Sequence, residues 1–251
     1  MIVNPTPTGW QVIYQQTHTL LAAQLAWHWA PFLSADRWVG LLAATAKHDD
    51  EQAAWYGRGG HHGLTPAGAP ANIAQQPFSL EQVNGVLHAA RFQGRWHSLL
   101  TSLHLSTLHE HLRDSKPEIT DFLDELRARQ TRWMKELHLD KVQTCQAYDL
   151  LHWCARLSLI LCHNELPDMG RAVEIYPDPL GNGNRTAHLV RQPAGPGTPV
   201  VVSPWPFADK ELVVTVEAQQ LHQLRFRDDA ELAAALHFGP TQTLCWILQP
   251  G

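Results

Sequence analysis

The segment that most constrains the fold runs from residue 140 to residue 163 and is apolar on nearly every side. Asp140 and Gln143 form a capping pair that predicts the start of a helix. Leucine, isoleucine, tryptophan and cysteine side chains then fill most of its circumference. A helix with this pattern has to be buried on most sides. The segment therefore predicts a central helix against which the rest of the chain packs.

The polar exceptions on this helix are Asp149, His152 and Arg156. Their spacing of three and four residues places them on one line along the helix. An unpaired charge buried in an apolar interior costs several kcal/mol. These three side chains therefore either face water, as on an ordinary amphipathic helix, or find polar partners inside the protein. The sequence leaves both alternatives open.

The periodicity of apolar residues changes after residue 166. Before it, the spacing is helical; after it, short β-branched or alternating segments are separated by turn residues. The sequence predicts a mainly α fold, a helical bundle over residues 1–166 with a small β-rich (α+β) region over 167–251. Predicted helices span residues 10–30, 34–56, 79–90, 94–114, 117–138, 140–163 and 228–237, and predicted strands span 172–176, 187–190, 199–202, 212–216, 223–226 and 244–248.

Charge and cysteine content exclude several classes of protein. The chain has 251 residues, with 19 Lys and Arg against 24 Asp and Glu, so its net charge of −5 gives no electrostatic case for nucleic acid or an anionic membrane surface. No apolar run approaches the roughly 20 residues that span a bilayer, and the first ten residues do not resemble a signal peptide. The four cysteines lack CxxC spacing, which indicates neither a disulfide framework nor a zinc knuckle. We therefore expect a cytoplasmic protein.

Histidine is unusually frequent, and 13 of the 16 histidines precede residue 167. Helical spacing places His18, His48 and His104 on apolar stripes of three different predicted helices. A single inward histidine is more often a hydrogen-bonded core residue than a metal ligand. Several of them converging with carboxylates is how helical bundles build metal sites, so the set favours such a site.

The spacing of these residues resembles a known signature. His18, followed 30 residues later by the adjacent pair His48 and Asp49, resembles the H…HD pattern of the HD-domain metal-dependent phosphohydrolases. Longer strings of the chain are together similar to a bacterial family of unknown function related to HD proteins. Those strings occupy residues 15–18, 48–55, 102–106, 156–159 and 204–207.

The resemblance implies a set of metal ligands. His18, His48 and Asp49 match its first positions, and His104 matches an intermediate histidine. HD proteins often carry a closing aspartate in the string Ala-Asp-x-Leu, whereas this chain has Cys154-Ala-Arg-Leu157 and no carboxylate there. Either Asp149 closes the site, or His152 substitutes for the aspartate, or the site is incomplete.

The resemblance implies that the helical bundle is HD-like, and an intact metal site in it would support a reaction. One or two divalent transition-metal ions (Fe, Mn, Co, Ni or Zn) would activate water against a small phosphorylated substrate, a phosphomonoester or nucleotide. Asp50 would act as general base or would orient a metal ligand, and Arg156 would bind the substrate phosphate. Two alternatives remain: redox chemistry at a di-iron site, or a non-catalytic module that binds a ligand or partner. The lack of a carboxylate at Ala155 favours the non-catalytic alternative.

Overall fold

The computed structural model describes residues 1–48, 63–72, 78–167, 169–181 and 187–251. These ranges contain seven α-helices and seven β-strands. The helices are α1 Gln15–Trp27, α2 Ala35–Thr45, α3 Leu80–Ala90, α4 Arg95–His109, α5 Pro117–Glu136, α6 Lys141–Cys162 and α7 Asp229–Phe238. The strands are β1 Ile2–Thr6, β2 Gly9–Ile13, β3 Ala172–Ile175, β4 His188–Arg191, β5 Val200–Ser203, β6 Leu212–Leu221 and β7 Thr241–Pro250.

All seven strands form one sheet in the order β1-β2-β6-β7-β5-β4-β3. Every pair is antiparallel except β5 with β7, and the sheet curls into a half-barrel. The expectation of a mainly α, HD-like bundle with a small C-terminal β region is therefore wrong. Strands β1 and β2, from the start of the chain, join the five strands of the C-terminal third in one sheet. The sheet is therefore a principal layer of the fold.

The N-terminal hairpin of β1 and β2 was missed because its residues also fit a helical spacing. The predicted helix over residues 10–30 includes Trp10 and Ile13, three residues apart, whereas both lie in β2. The hairpin is instead held by β6, where Val12 pairs with Gln219 across more than two hundred residues of chain. A Cβ at Gly9 would lie 1.9 Å from the carbonyl oxygen of Leu221, so glycine is what permits this close approach of β2 to β6.

Helix α1 is fixed to the sheet by the amide of Gln24. Its Nε2 donates to the carbonyl of Thr215 at 2.9 Å, and the Thr215 backbone N–H donates back to its Oε1 at 3.0 Å. Strand β2 pairs with β6 only along residues 219–221. Beyond that stretch, the side chain of Gln24 takes the place of a neighbouring strand and satisfies both backbone groups of Thr215.

Helix α6 is central, as its sequence predicts. Leu150, Trp153 and Leu157 are completely buried, and the helix packs between α1, α2, α4 and the sheet. Its last residue, Cys162, offers a backbone carbonyl that accepts a 2.7 Å hydrogen bond from the side chain of Asn4 in β1. Within the described ranges, no helix combines the length and the apolar character needed to cross a membrane.

Candidate metal centre

The three histidines of the predicted site meet in the core. His18 lies in α1, His48 lies three residues beyond the end of α2, and His104 lies in α4. Their exposed fractions are 0%, 2% and 6%. The ring centroids of His18 and His48 are 5.2 Å apart, and those of His48 and His104 are 5.1 Å apart. We call these three residues the histidine cluster.

Hydrogen bonds set the tautomers of two members of the histidine cluster. Nδ1 of His18 lies 2.8 Å from the carbonyl oxygen of Gln15, and Nδ1 of His48 lies 2.6 Å from that of Thr45. A carbonyl only accepts, so each Nδ1 carries the hydrogen and donates it. A neutral imidazole has one N–H, and Nε2 of each ring therefore holds the lone pair. An Nε2 lone pair oriented by an Nδ1–H to carbonyl bond is the usual arrangement of a metal-binding histidine.

Two side chains of α6 extend the histidine cluster. The ring of Tyr148 lies 6.3 Å from His104 and 6.0 Å from His152, centroid to centroid. Burial raises the pKa of the Tyr148 hydroxyl, and burial together with nearby His104 lowers the pKa of His152. Both side chains are therefore uncharged at neutral pH. Sequence reasoning missed Tyr148, although its spacing of four residues from His152 places both on the same helix face.

Two of the remaining predicted site residues, Asp149 and Arg156, lie on α6. Asp149 is partly buried, and burial raises the pKa of its carboxyl to about 6. Arg156 is 48% exposed and faces Glu165 at 4.0 Å. Asp49 and Asp50 lie outside the described residues.

A complete set of metal ligands is not formed by the described side chains alone. Among them, no three His, Cys, Asp or Glu residues are grouped so that they could hold one metal ion. The structure thus brings the rings of His18, His48 and His104 into contact, and the described side chains do not complete a metal site by themselves. The ligand roles of Asp149 and Asp49, and the catalytic roles of Asp50 and Arg156, stay predictions.

Residues 1–223 match the model of a family described as "Protein of unknown function (DUF3891)". The chain belongs to that family. The expected kinship with an uncharacterised domain family is thereby confirmed, and the match includes all three members of the histidine cluster. Helix α7 and strand β7 lie beyond the matched residues of this DUF3891 protein. No curated protein and no solved structure matches the chain.

A fourth buried histidine of this DUF3891 protein, His97, predicts a loss of stability in acid. It is 4% exposed in α4, and burial together with the positive charge of Lys47 lowers its pKa to about 4. At pH values between about 4 and 6.5, the ordinary pKa of histidine, the unfolded chain binds more protons than the folded chain. The stabilising effect of neutral His97 is therefore fully present above pH 6.5 and is lost as the pH falls towards 4.

Urea denaturation at pH 7.5 and pH 5 measures this effect. Between the two pH values, the free energy of unfolding of the wild-type chain should fall by about 2 kcal/mol more than that of His97→Gln. The glutamine variant is the control, since it keeps a polar side chain that does not titrate. An equal fall in both proteins would show that His97 does not cause the acid sensitivity.

Proposed function

We propose that this protein is a metal-dependent hydrolase of small phosphate esters, with a divalent transition metal bound at the histidine cluster. The observation that carries the proposal is the pair His18 and His48. Both rings are buried, their centroids are 5.2 Å apart, and both use Nδ1–H on a backbone carbonyl. Two imidazoles held in this way present Nε2 lone pairs as ligands inside the core.

The chemistry of the donors fits a transition metal. Imidazole nitrogen suits Fe, Co, Ni and Zn, and added carboxylates extend the set to Mn. His18 and His48 would provide two of the ligands, and the fit requires further ligands, because no three described side chains are grouped to hold one ion. Asp49 is our proposed additional ligand, because it follows His48 directly in the sequence.

The proposed reaction follows from the H…HD spacing, and the sheet-containing fold adds no argument for it. A bound metal of this kind supplies Lewis acidity, which lowers the pKa of water and polarises a phosphoryl oxygen. The neutral side chains of Tyr148 and His152 border the cluster, so they add polar groups beside it without adding charge. Arg156 at the exposed side of α6 is our proposed contact for the substrate phosphate.

Elemental analysis followed by a hydrolysis assay tests the proposal. Protein purified without chelator should contain one or two transition-metal ions per chain and should hydrolyse p-nitrophenyl phosphate or a nucleoside monophosphate. Removing the metal with a chelator should abolish hydrolysis, and adding it back should restore hydrolysis. A metal-loaded protein that hydrolyses none of these esters would refute the reaction. Protein that stays metal-free after reconstitution would refute the metal centre and favour a non-catalytic binding role.

A further inference from the structure

A groove between α3 and α5 lies outside the histidine cluster. It has a volume of about 630 Å³, within the range of roughly 300–1,000 Å³ typical of small-molecule sites. One wall is formed by residues of α3 and the turn after it, and the other wall is formed by residues of α5. In each wall these residues lie three or four positions apart, so they share one helix face. Leu87, His88 and Arg91 belong to the first wall; Arg129, Arg132 and Trp133 belong to the second.

The groove is positively charged in a chain of net charge −5. Three arginines and one carboxylate, Glu125, line it, and Glu125 is paired with Arg129. In the part of the chain that the structure describes, Arg91 has no acidic partner, and its guanidinium lies 4.9 Å from the ring centre of Phe92. Arg132 forms an ion pair with Glu136 through Nε at 3.9 Å, beyond hydrogen-bond distance, so Arg91 and Arg132 both retain guanidinium N–H groups for a ligand.

The same groove offers apolar surface beside these charges. Leu87, which lines the groove, is 7% exposed, and the partly buried Trp133 packs against the main core. At its edge, Phe92 is 72% exposed, with the ring of His88 at 5.4 Å. An anion with an attached organic group can therefore contact guanidinium and aromatic surface together.

We propose that this groove binds a phosphate monoester, with the phosphate held by Arg91 and Arg132 and the organic group against Trp133. The planar guanidinium fork matches the oxygens of a phosphate and donates two parallel hydrogen bonds to it. The proposal does not depend on the metal centre, because none of the three cluster histidines lines the groove.

Isothermal titration calorimetry at fixed ionic strength tests this site with AMP, inorganic phosphate and citrate as probes. AMP should bind the wild-type chain with a Kd below about 1 mM and more tightly than inorganic phosphate. Arg91→Gln and Arg132→Gln should each weaken AMP binding by about tenfold. The matched control is Arg127→Gln, since Arg127 lies on α5, pairs with Glu110 at 2.8 Å and does not line the groove.

Repeating the titration in the His48→Gln background separates this site from the metal centre, and binding there should be unchanged. Three results would overturn the proposal: no saturable AMP binding, an unchanged Kd in the Arg91→Gln/Arg132→Gln double variant, or loss of binding in His48→Gln alone. Citrate binding as tightly as AMP would overturn the assignment to phosphate. AMP binding no tighter than inorganic phosphate would overturn the role of Trp133.

Discussion

Replacing His48 with glutamine is expected to reduce the bound metal from about one ion per chain to less than about a tenth of that. Losing only a group that orients a metal-binding histidine costs about 10–100-fold in affinity, and losing the ligand itself should cost at least as much. Glutamine keeps the size and polarity of the buried position, so the helical circular dichroism should be preserved. His18→Gln should give the same result, because His18 is the other half of the pair 5.2 Å away.

The matched control for both variants is His97→Gln. His97 is as buried as the cluster histidines, at 4% exposed, and it shares α4 with His104. Elemental analysis should find its metal content unchanged. Unchanged metal in both His18→Gln and His48→Gln would place the metal elsewhere in the chain. Loss of metal in His97→Gln as well would mean that the effect comes from a disturbed core and not from a lost ligand.

Trp153→Ala is expected to destabilise the fold by about 3–5 kcal/mol, the largest effect that we expect from a single change in the core. Trp153 is completely buried on α6. Its indole packs edge to face against Trp29 at 5.0 Å, His188 at 5.1 Å and Phe207 at 5.8 Å. These contacts join α6 to the end of α1, to β4 and to the segment after β5. Truncation would leave a cavity between helices and sheet that this closely packed interior cannot fill.

Urea denaturation of Trp153→Ala and Trp27→Ala measures the difference. Trp27 is the control, because it is the last residue of α1 and is 66% exposed. Its replacement should change the free energy of unfolding by no more than about 0.5 kcal/mol. An equal decrease in the free energy of unfolding for the two variants would contradict the prediction that the buried Trp153 side chain contributes strongly to stability.

Helix boundaries were predictable from local signals. A helix was predicted over 117–138 and the structure has Pro117–Glu136, with proline in the first turn. The helix predicted from Asp140 begins at Lys141, and the Asp140 carboxylate accepts a hydrogen bond from the backbone N–H of Val142. The burial of His18, His48 and His104 was also predictable, because helical spacing alone places them among apolar residues.

The sequence alone specifies where α5 and α6 begin and that His18, His48 and His104 face the interior, since caps and helical periodicity act within a few residues. The strand that contains Trp10 and Ile13 depends on tertiary contacts, because the pairing of β2 with β1 and β6 supplies hydrogen bonds that a helix at this position would not make. Tertiary packing also places Tyr148 beside His104, whereas no three potential metal ligands are grouped among the described side chains. The rotation of a buried helix is set by packing against several partners at once, and its own sequence does not contain those partners.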